Sequence, residues 1–372
     1  MMNIQQIESK SGQQIEELLR SIPWLRDIQV SGFDGPMDPG YDVEVRFSNE
    51  MGQQAVLQIE CKTFPRPSQF PGVNQVSRFD QSGNRRSAEV PVLAAARISP
   101  RMAELCEAHG WGWIDLAGNC MISVPNMLHI ERSGNAPIKV DEQVKTNLGT
   151  AEASRVVRAL LTNKDLKRTW TQRDLRDACF PSVSLGLVNK VVRYLKDQAY
   201  MADTENGRGI QLRDPLGLLR EWCQNYRLDR HMRCNYFTLI KPKELRDKLV
   251  DHLAGPRVKF ALAAFSAASE QAAHVRGELK LWLYIDESIL GRFQDIAEVE
   301  EVESGANVIV MVPEDAGVFA GEYIVPLDNM PVTHPVQTYV DLLQAGGRGE
   351  EAAEALLEQK IKPEWKDADL VW

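Results

Sequence analysis

Asp42, Glu60 and Lys62 are the residues of the first third of the chain whose types and spacing can do chemistry. Ala55 to Lys62 reads as a strand, built on Val56, Leu57 and Ile59. A strand alternates its side chains, so Glu60 and Lys62, two apart, share a face. Asp42 lies eighteen residues before Glu60 in a second alternating stretch, Tyr41 to Phe47. There Asp42 and Glu44 take one face, Val43 and Val45 the other. If the two strands are neighbours, the carboxylates of Asp42 and Glu60 can hold one Mg²⁺ between them. Lys62 can then orient or activate a water for attack on a phosphate. The competing reading is an exposed strand end that carries an ordinary charge pair.

A second constellation runs from Pro181 to Lys196. Val183, Leu187, Val191 and Leu195 recur at helical spacing and predict a buried stripe. Ser184, Gly186, Asn189, Lys190 and Arg193 fall on other faces. They are small, polar or cationic residues, able to approach DNA and bond to phosphates or base edges. Helices are predicted over Thr150 to Leu161 and Thr171 to Cys179. Strands are predicted at Tyr200–Ala202 and Ile210–Leu212, joined by the turn signal Asn206-Gly207. Helix, helix, turn, helix, hairpin is the order of a winged helix-turn-helix, whose third helix enters the major groove while the hairpin meets the backbone. Arg173, Ser182, Ser184, Asn189, Lys190, Arg193 and the wing-tip Arg208 are then the candidate DNA contacts. Two blander readings compete: a surface helix with solvated charges, and a winged helix that binds protein.

Charge favours nucleic acid for this segment. From Lys145 to Arg213 there are thirteen Lys and Arg against seven Asp and Glu, a net +6. The whole chain carries −9, so the remainder carries −15. A basic module between acidic ones is the footprint of a DNA-binding domain in a larger protein.

The surrounding elements must position these residues. Ile4 to Leu19 reads as a helix, and Ile28 to Phe33 as a strand before the turn Gly35–Gly40. Val73 to Phe79 is read as helical. Val90 to Ile98 and Trp111 to Leu116 are apolar strands around a helix opened by Ser99-Pro100. Asp115-Leu116-Ala117-Gly118-Asn119 is either a tight turn after a buried strand or a polar group near the carboxylate site. The last part alternates as an α/β unit. A helix follows Asp214-Pro215, strands span Val258–Phe265, Leu279–Ile285, Val308–Val312 and Tyr323–Val325, and helices flank Gly346–Gly349. That glycine loop lacks the phosphate-cradling spacing and reads as a helix linker. With 372 residues, the chain divides into an α/β domain at 1–135, a DNA-binding domain at 145–213 and a C-terminal α/β domain at 214–372. There is no apolar run long enough to span a bilayer and no secretory leader pattern. The six cysteines are scattered, which is the usage of a reducing cytoplasm.

The first third resembles the PD-(D/E)xK restriction-endonuclease-like superfamily, on Asp42 and Glu60-Cys61-Lys62 in their strand order. The resemblance implies a Mg²⁺-dependent nuclease site, with Glu8, Glu16 or Glu17 of the first helix as a further acid. The chain as a whole resembles the AbiEi-like antitoxin family of type IV toxin–antitoxin systems, in its longer form. The residues are Glu60–Lys62 with Arg66–Pro71, Trp113–Cys120, Ile130–Gly134, Ser182–Lys196, Pro335–Leu342 and Arg348–Glu354. That resemblance implies a bacterial regulator that binds operator DNA through a winged helix and opposes a nucleotidyltransferase-like toxin. Shorter members carry the winged helix at the N-terminus; here an α/β domain precedes it. The leading expectation is a double-stranded-DNA-binding regulator, expected as a homodimer on two half-sites. The alternatives are a Mg²⁺-dependent DNA endonuclease acting in phage defence or DNA processing, and an interaction scaffold.

Overall fold

Ile7, Ile15, Leu18 and Leu19 lie along one side of α1 (Ile4–Arg20) and are buried there, with the small residues Ser11 and Gly12 between them. Gly12 lets the helix sit close: a Cβ at this position would already touch the methyls of Val30 and Val43, at 3.5 and 3.6 Å. The computed structural model describes residues 4–32, 40–70, 88–136, 146–204, 207–253, 259–272, 280–321, 323–324 and 329–366. Residues 33–39, the helix expected at Val73–Phe79 and Asn206 of the wing turn lie outside the described residues. The chain forms two compact units, Met1–Lys145 and Thr146–Trp372.

In the first unit, β1 (Leu25–Gly32), β2 (Val43–Asn49), β3 (Gln54–Lys62), β4 (Ala88–Ala95), β5 (Gly112–Asp115), β6 (Cys120–Val124) and β7 (Leu128–Arg132) form one sheet, each strand beside its chain neighbour. The β3–β4 and β4–β5 pairs are parallel and the others antiparallel. Alternation sends Val43, Val45, Phe47, Leu57, Ile59, Val92 and Ile122 into the core shared with α1. The opposite face of β4 packs Leu93 against Met102, Leu105 and Cys106 of α2 (Pro100–Ala108), together with Phe70. Ser99 caps α2 as expected, accepting from the Met102 N–H at 3.2 Å.

The second unit begins with α3 (Ala151–Leu161), α4 (Gln172–Ala178) and α5 (Leu185–Asp197), then the hairpin β8 (Met201–Asp203) and β9 (Ile210–Leu212). Thr150, Thr171 and Ser184 cap the three helices, and Thr171 with Asp174 forms a full capping box. Trp170 bridges to Ile210, adding a third extended segment to the hairpin. There follow α6 (Pro215–Asn225), β10 (Met232–Phe237), α7 (Pro242–Leu253), β11 (Phe260–Leu262), α8 (Ala264–Gln271), β12 (Leu281–Ile285), α9 (Leu290–Ala297), β13 (Glu300–Glu301) and β14 (Val308–Val312). The unit closes with β15 (Tyr323–Ile324), β16 (Pro331–Val332), α10 (Pro335–Ala345), α11 (Gly349–Leu356) and α12 (Lys362–Lys366). Its sheet runs β13-β10-β14-β12-β11-β16-β15, with β12–β14 and β11–β16 parallel.

The mixed α/β class expected from the sequence is borne out. The strand expected over Val258–Phe265 is shorter, because Ala264 takes a left-handed φ of 43° and α8 starts there. β10, α7, α9 and β16 were not foreseen. The helices α3, α5 and α6, the hairpin, and α8, α10 and α11 contribute to one continuous buried cluster. No helix among the described residues is long and apolar enough to cross a membrane.

Candidate carboxylate site and nucleic-acid interface

β2 and β3 are antiparallel neighbours with Val43 opposite Ile59 and Glu44 opposite Gln58. Asp42 precedes β2 and departs from that register: its N–H donates to the Ile59 carbonyl at 2.8 Å. Asp42 is therefore tied to the Ile59–Cys61 end of β3. Its Oδ2 accepts from the Cys61 N–H at 2.7 Å, so the carboxylate is fixed to the end of β3. Glu60 and Lys62 project on one face, as the strand period requires, and form an ion pair at 2.7 Å. Between them Cys61 points to the opposite, buried face. Burial, reinforced by the carboxylates of Asp42, Glu8 and Glu60, pushes the Cys61 thiol up to about 12, against a lowering by Lys62. Glu16 and Glu17 are engaged elsewhere, with Arg20 and Gln13. Asp42 and Glu60 are the oxygen donors here that could hold a divalent cation. Among the described residues, no group of three or more His, Cys, Asp and Glu is arranged to hold a metal ion.

Asp115 has a different job. Its Oδ1 accepts from the backbone N–H groups of Ala117 and Asn119, both at 2.9 Å, and its Oδ2 from Asn119 Nδ2 at 2.9 Å. Gly118, at φ 88°, turns the chain back between them. Asn119 also pairs with the backbone of Asn135 in both directions. The Asp-Leu-Ala-Gly-Asn string is a turn wound around its own carboxylate, which is 3% exposed.

On α5 the buried side consists of Val188, Val191, Val192 and Leu195, with Val183 and Leu187 only partly covered. Val191 and Leu195 of the expected stripe are buried, and Val188 and Val192 join them in place of Val183 and Leu187. Gly186, Asn189, Lys190 and Arg193 are all exposed, and their spacing of three and four puts them in one line along the helix. Ser184 is committed as N-cap, accepting from the Leu187 N–H at 3.2 Å. Asn189 Nδ2 reaches Gln172 of α4 at 3.3 Å. Ser182, Arg173 and Arg208 are exposed on the preceding turn, on α4 and beside the hairpin tip.

Sequence reading missed a buried polar network behind this helix layer. Asp341 of α10 has its Oδ1 bonded by Tyr226 Oη at 2.7 Å, Tyr284 Oη at 2.9 Å and Gln337 Nε2 at 2.8 Å. Gln337 in turn accepts from Arg158 Nε of α3 at 2.7 Å, and the guanidinium lies 5.1 Å from the Trp222 ring centroid. His231 Nδ1 accepts from the Glu314 N–H at 3.1 Å, which places the ring proton on Nε2, 2.8 Å from Tyr226 Oη. Burial, then the Arg158 charge, lowers His231 to about 4. Burial raises Asp341 to about 7 against those hydrogen bonds. The available signal was the string Gln337-Thr338-Tyr339-Val340-Asp341: its two polar ends are four apart on a mostly apolar helix, so they share a face.

No curated protein and no solved structure matches the chain. A family model does match, over residues 211–362, with the description "Transcriptional regulator, AbiEi antitoxin, Type IV TA system". The match takes in Gln337 to Leu342 and Arg348 to Glu354, while Glu60–Lys62, Trp113–Cys120 and Ser182–Lys196 lie outside it. The resemblance expected from the C-terminal strings is borne out: residues 211–362 match the AbiEi antitoxin family of type IV toxin–antitoxin systems.

Proposed function

We propose that this chain is a DNA-binding transcriptional regulator of the antitoxin kind, working in the cytoplasm. In this reading the helices α3 to α5 and the β8–β9 hairpin are a winged helix-turn-helix, and 145–213 is its DNA-binding domain between α/β domains at 1–135 and 214–372. The observation that carries it is the line Gly186, Asn189, Lys190, Arg193, exposed along a helix whose opposite side is buried. A residue without a side chain at Gly186 allows close approach, Asn189 suits adenine, and Lys190 and Arg193 suit guanine or phosphate. Arg173, Ser182 and Arg208 flank the groove, and Ser184 contributes as the cap that sets the helix start. The local charge of +6 and the regulator family matched at 211–362 support the same reading. A nucleotidyltransferase-like toxin is the proposed protein partner, and a homodimer on two half-sites the proposed assembly. The test is a gel shift of the full chain on a duplex it has itself enriched from a random-sequence pool. Lys190→Ala/Arg193→Ala should weaken binding by at least about tenfold and reduce the salt slope by about two. Unchanged affinity and slope would rule out α5 as the reading helix.

A second reading is favoured by Asp42 fixed to the end of β3 that carries Glu60 and Lys62. Mg²⁺ is commonly held by one or two carboxylates, with water and phosphate completing its shell, so the donor set suits it. The reading is a Mg²⁺-dependent DNA endonuclease whose winged helix delivers the substrate. Supercoiled plasmid incubated with the chain and Mg²⁺ should then be nicked, and Asp42→Ala should abolish nicking. Plasmid left intact over a broad protein range would remove this reading and leave the regulator standing.

A further inference from the structure

The turn that launches α5 is held from behind. Arg155 of α3 donates through Nη1 to the Ser182 carbonyl at 3.2 Å. The same guanidinium donates to Asp315 Oδ2, through Nε at 2.9 Å and through Nη2. Asp315 precedes a short 3-10 turn, Ala316–Phe319, and caps it by accepting from the Gly317 N–H at 2.9 Å. The pair is nearly enclosed, with side-chain exposures of 18% for Arg155 and 9% for Asp315. Gly317 marks a second close approach. A Cβ there would lie 3.0 Å from the Phe180 carbonyl and 3.1 Å from Arg158 Nη1. The segment Phe180–Ser182 is therefore clamped between α3 and the loop that follows β14.

We propose that Arg155 and Asp315 are positioning residues for DNA binding: their pair fixes the turn before α5 to the α/β body, so that the body sets how α5 is presented. The inference rests on the winged-helix reading above. Neither side chain is part of the exposed line on α5, and neither need touch DNA. A bidentate guanidinium suits the task because one planar group bridges a carboxylate and a carbonyl. Releasing it leaves α5 folded on its own buried stripe but samples more orientations. Apparent affinity falls by the fraction of time spent in the competent one.

The experiment uses the full chain on the enriched duplex and on a scrambled duplex of equal length. Asp315→Asn should bind the enriched duplex about tenfold more weakly, as when about a tenth of the molecules are competent. Its salt slope should stay at the wild-type value, because no phosphate contact is removed. Discrimination against the scrambled duplex should shrink, while far-UV circular dichroism is unchanged. Asp315→Glu, which can rebuild the pair, should restore part of the affinity. Arg155→Lys keeps the charge but cannot bridge both partners, so it should show the same loss should Asp315→Asn fail to fold. Wild-type affinity and discrimination in folded Asp315→Asn or Arg155→Lys would overturn the proposal. Loss of binding in Lys190→Ala/Arg193→Ala alone would place the failure here, whereas no loss in any of these variants would place it in the winged-helix reading.

Discussion

Asp341 is a carboxylic acid enclosed among two tyrosines, a glutamine and an arginine. Its Oδ1 takes three hydrogen bonds, while Oδ2, like Arg158 Nη1, is buried with no hydrogen-bond partner among the described residues. Burial raises it to about 7. A carboxyl raised in the folded state stabilises the fold fully below its unfolded value, near 4, and that contribution is lost as pH rises through about 7. Asp341→Asn keeps an acceptor for Tyr226 and Tyr284 but cannot ionise. Urea denaturation from about pH 4 to about pH 8 should show the wild type losing stability relative to the variant as pH rises. A difference that does not change with pH would mean that Asp341 does not titrate there. The neighbouring His231 works the other way: held down to about 4, it stabilises above its usual range and loses that as pH falls. Being present in both proteins, it cancels in the comparison. Such a network is hard to read in a sequence, because Arg158 and Asp341 are far apart in the chain and each looks like a lone charge. That Glu60 and Lys62 share a face was legible, because a strand's period of two is a local rule; that Asp42 would fall just outside β2 was not.

At the scale of the element, α5 shows a helix whose buried stripe was legible at one end and shifted at the other. Spacing alone suggested a stripe through Val183, Leu187, Val191 and Leu195; Val191 and Leu195 are fully buried, Val183 and Leu187 only partly covered. The cap at Ser184 starts the helix at Leu185, so Val183 precedes it and the buried line runs through Val188, Val191, Val192 and Leu195. Leu195 is fully enclosed. Leu195→Ala should cost about 2–5 kcal/mol in urea denaturation, the range for a buried leucine left as a cavity. Lys190→Ala on the exposed side should stay within about 0.5 kcal/mol, so a large loss there would contradict the assigned faces. The cap Ser99 and the proline after it made the start of α2 legible. β10 escaped notice because Met232-Arg233-Cys234-Asn235-Tyr236-Phe237 mixes exposed and buried positions without a clean apolar run. α7 is rich in Lys, Asp and Glu and buries only Leu245, Leu249 and Leu253.

For the whole molecule, composition and element alternation were enough for a mixed α/β protein, because apolar strands and amphipathic helices announce themselves locally. Strand order in the second sheet was not legible: pairing of distant segments such as β10 with β14 depends on which faces fit, and no turn residue encodes that. The two sheets differ in a way that bears on synthesis. The first follows chain order throughout, so each strand after β1 pairs with the one made just before it. It can be finished strand by strand at the exit of the ribosome. β10 has no such neighbour. Its partners are β13 and β14, so it stays unpaired until the chain has grown to Glu300–Glu301 and is paired along its length only after Val308–Val312; over that interval the exposed edge of Met232–Phe237 needs shelter from self-association.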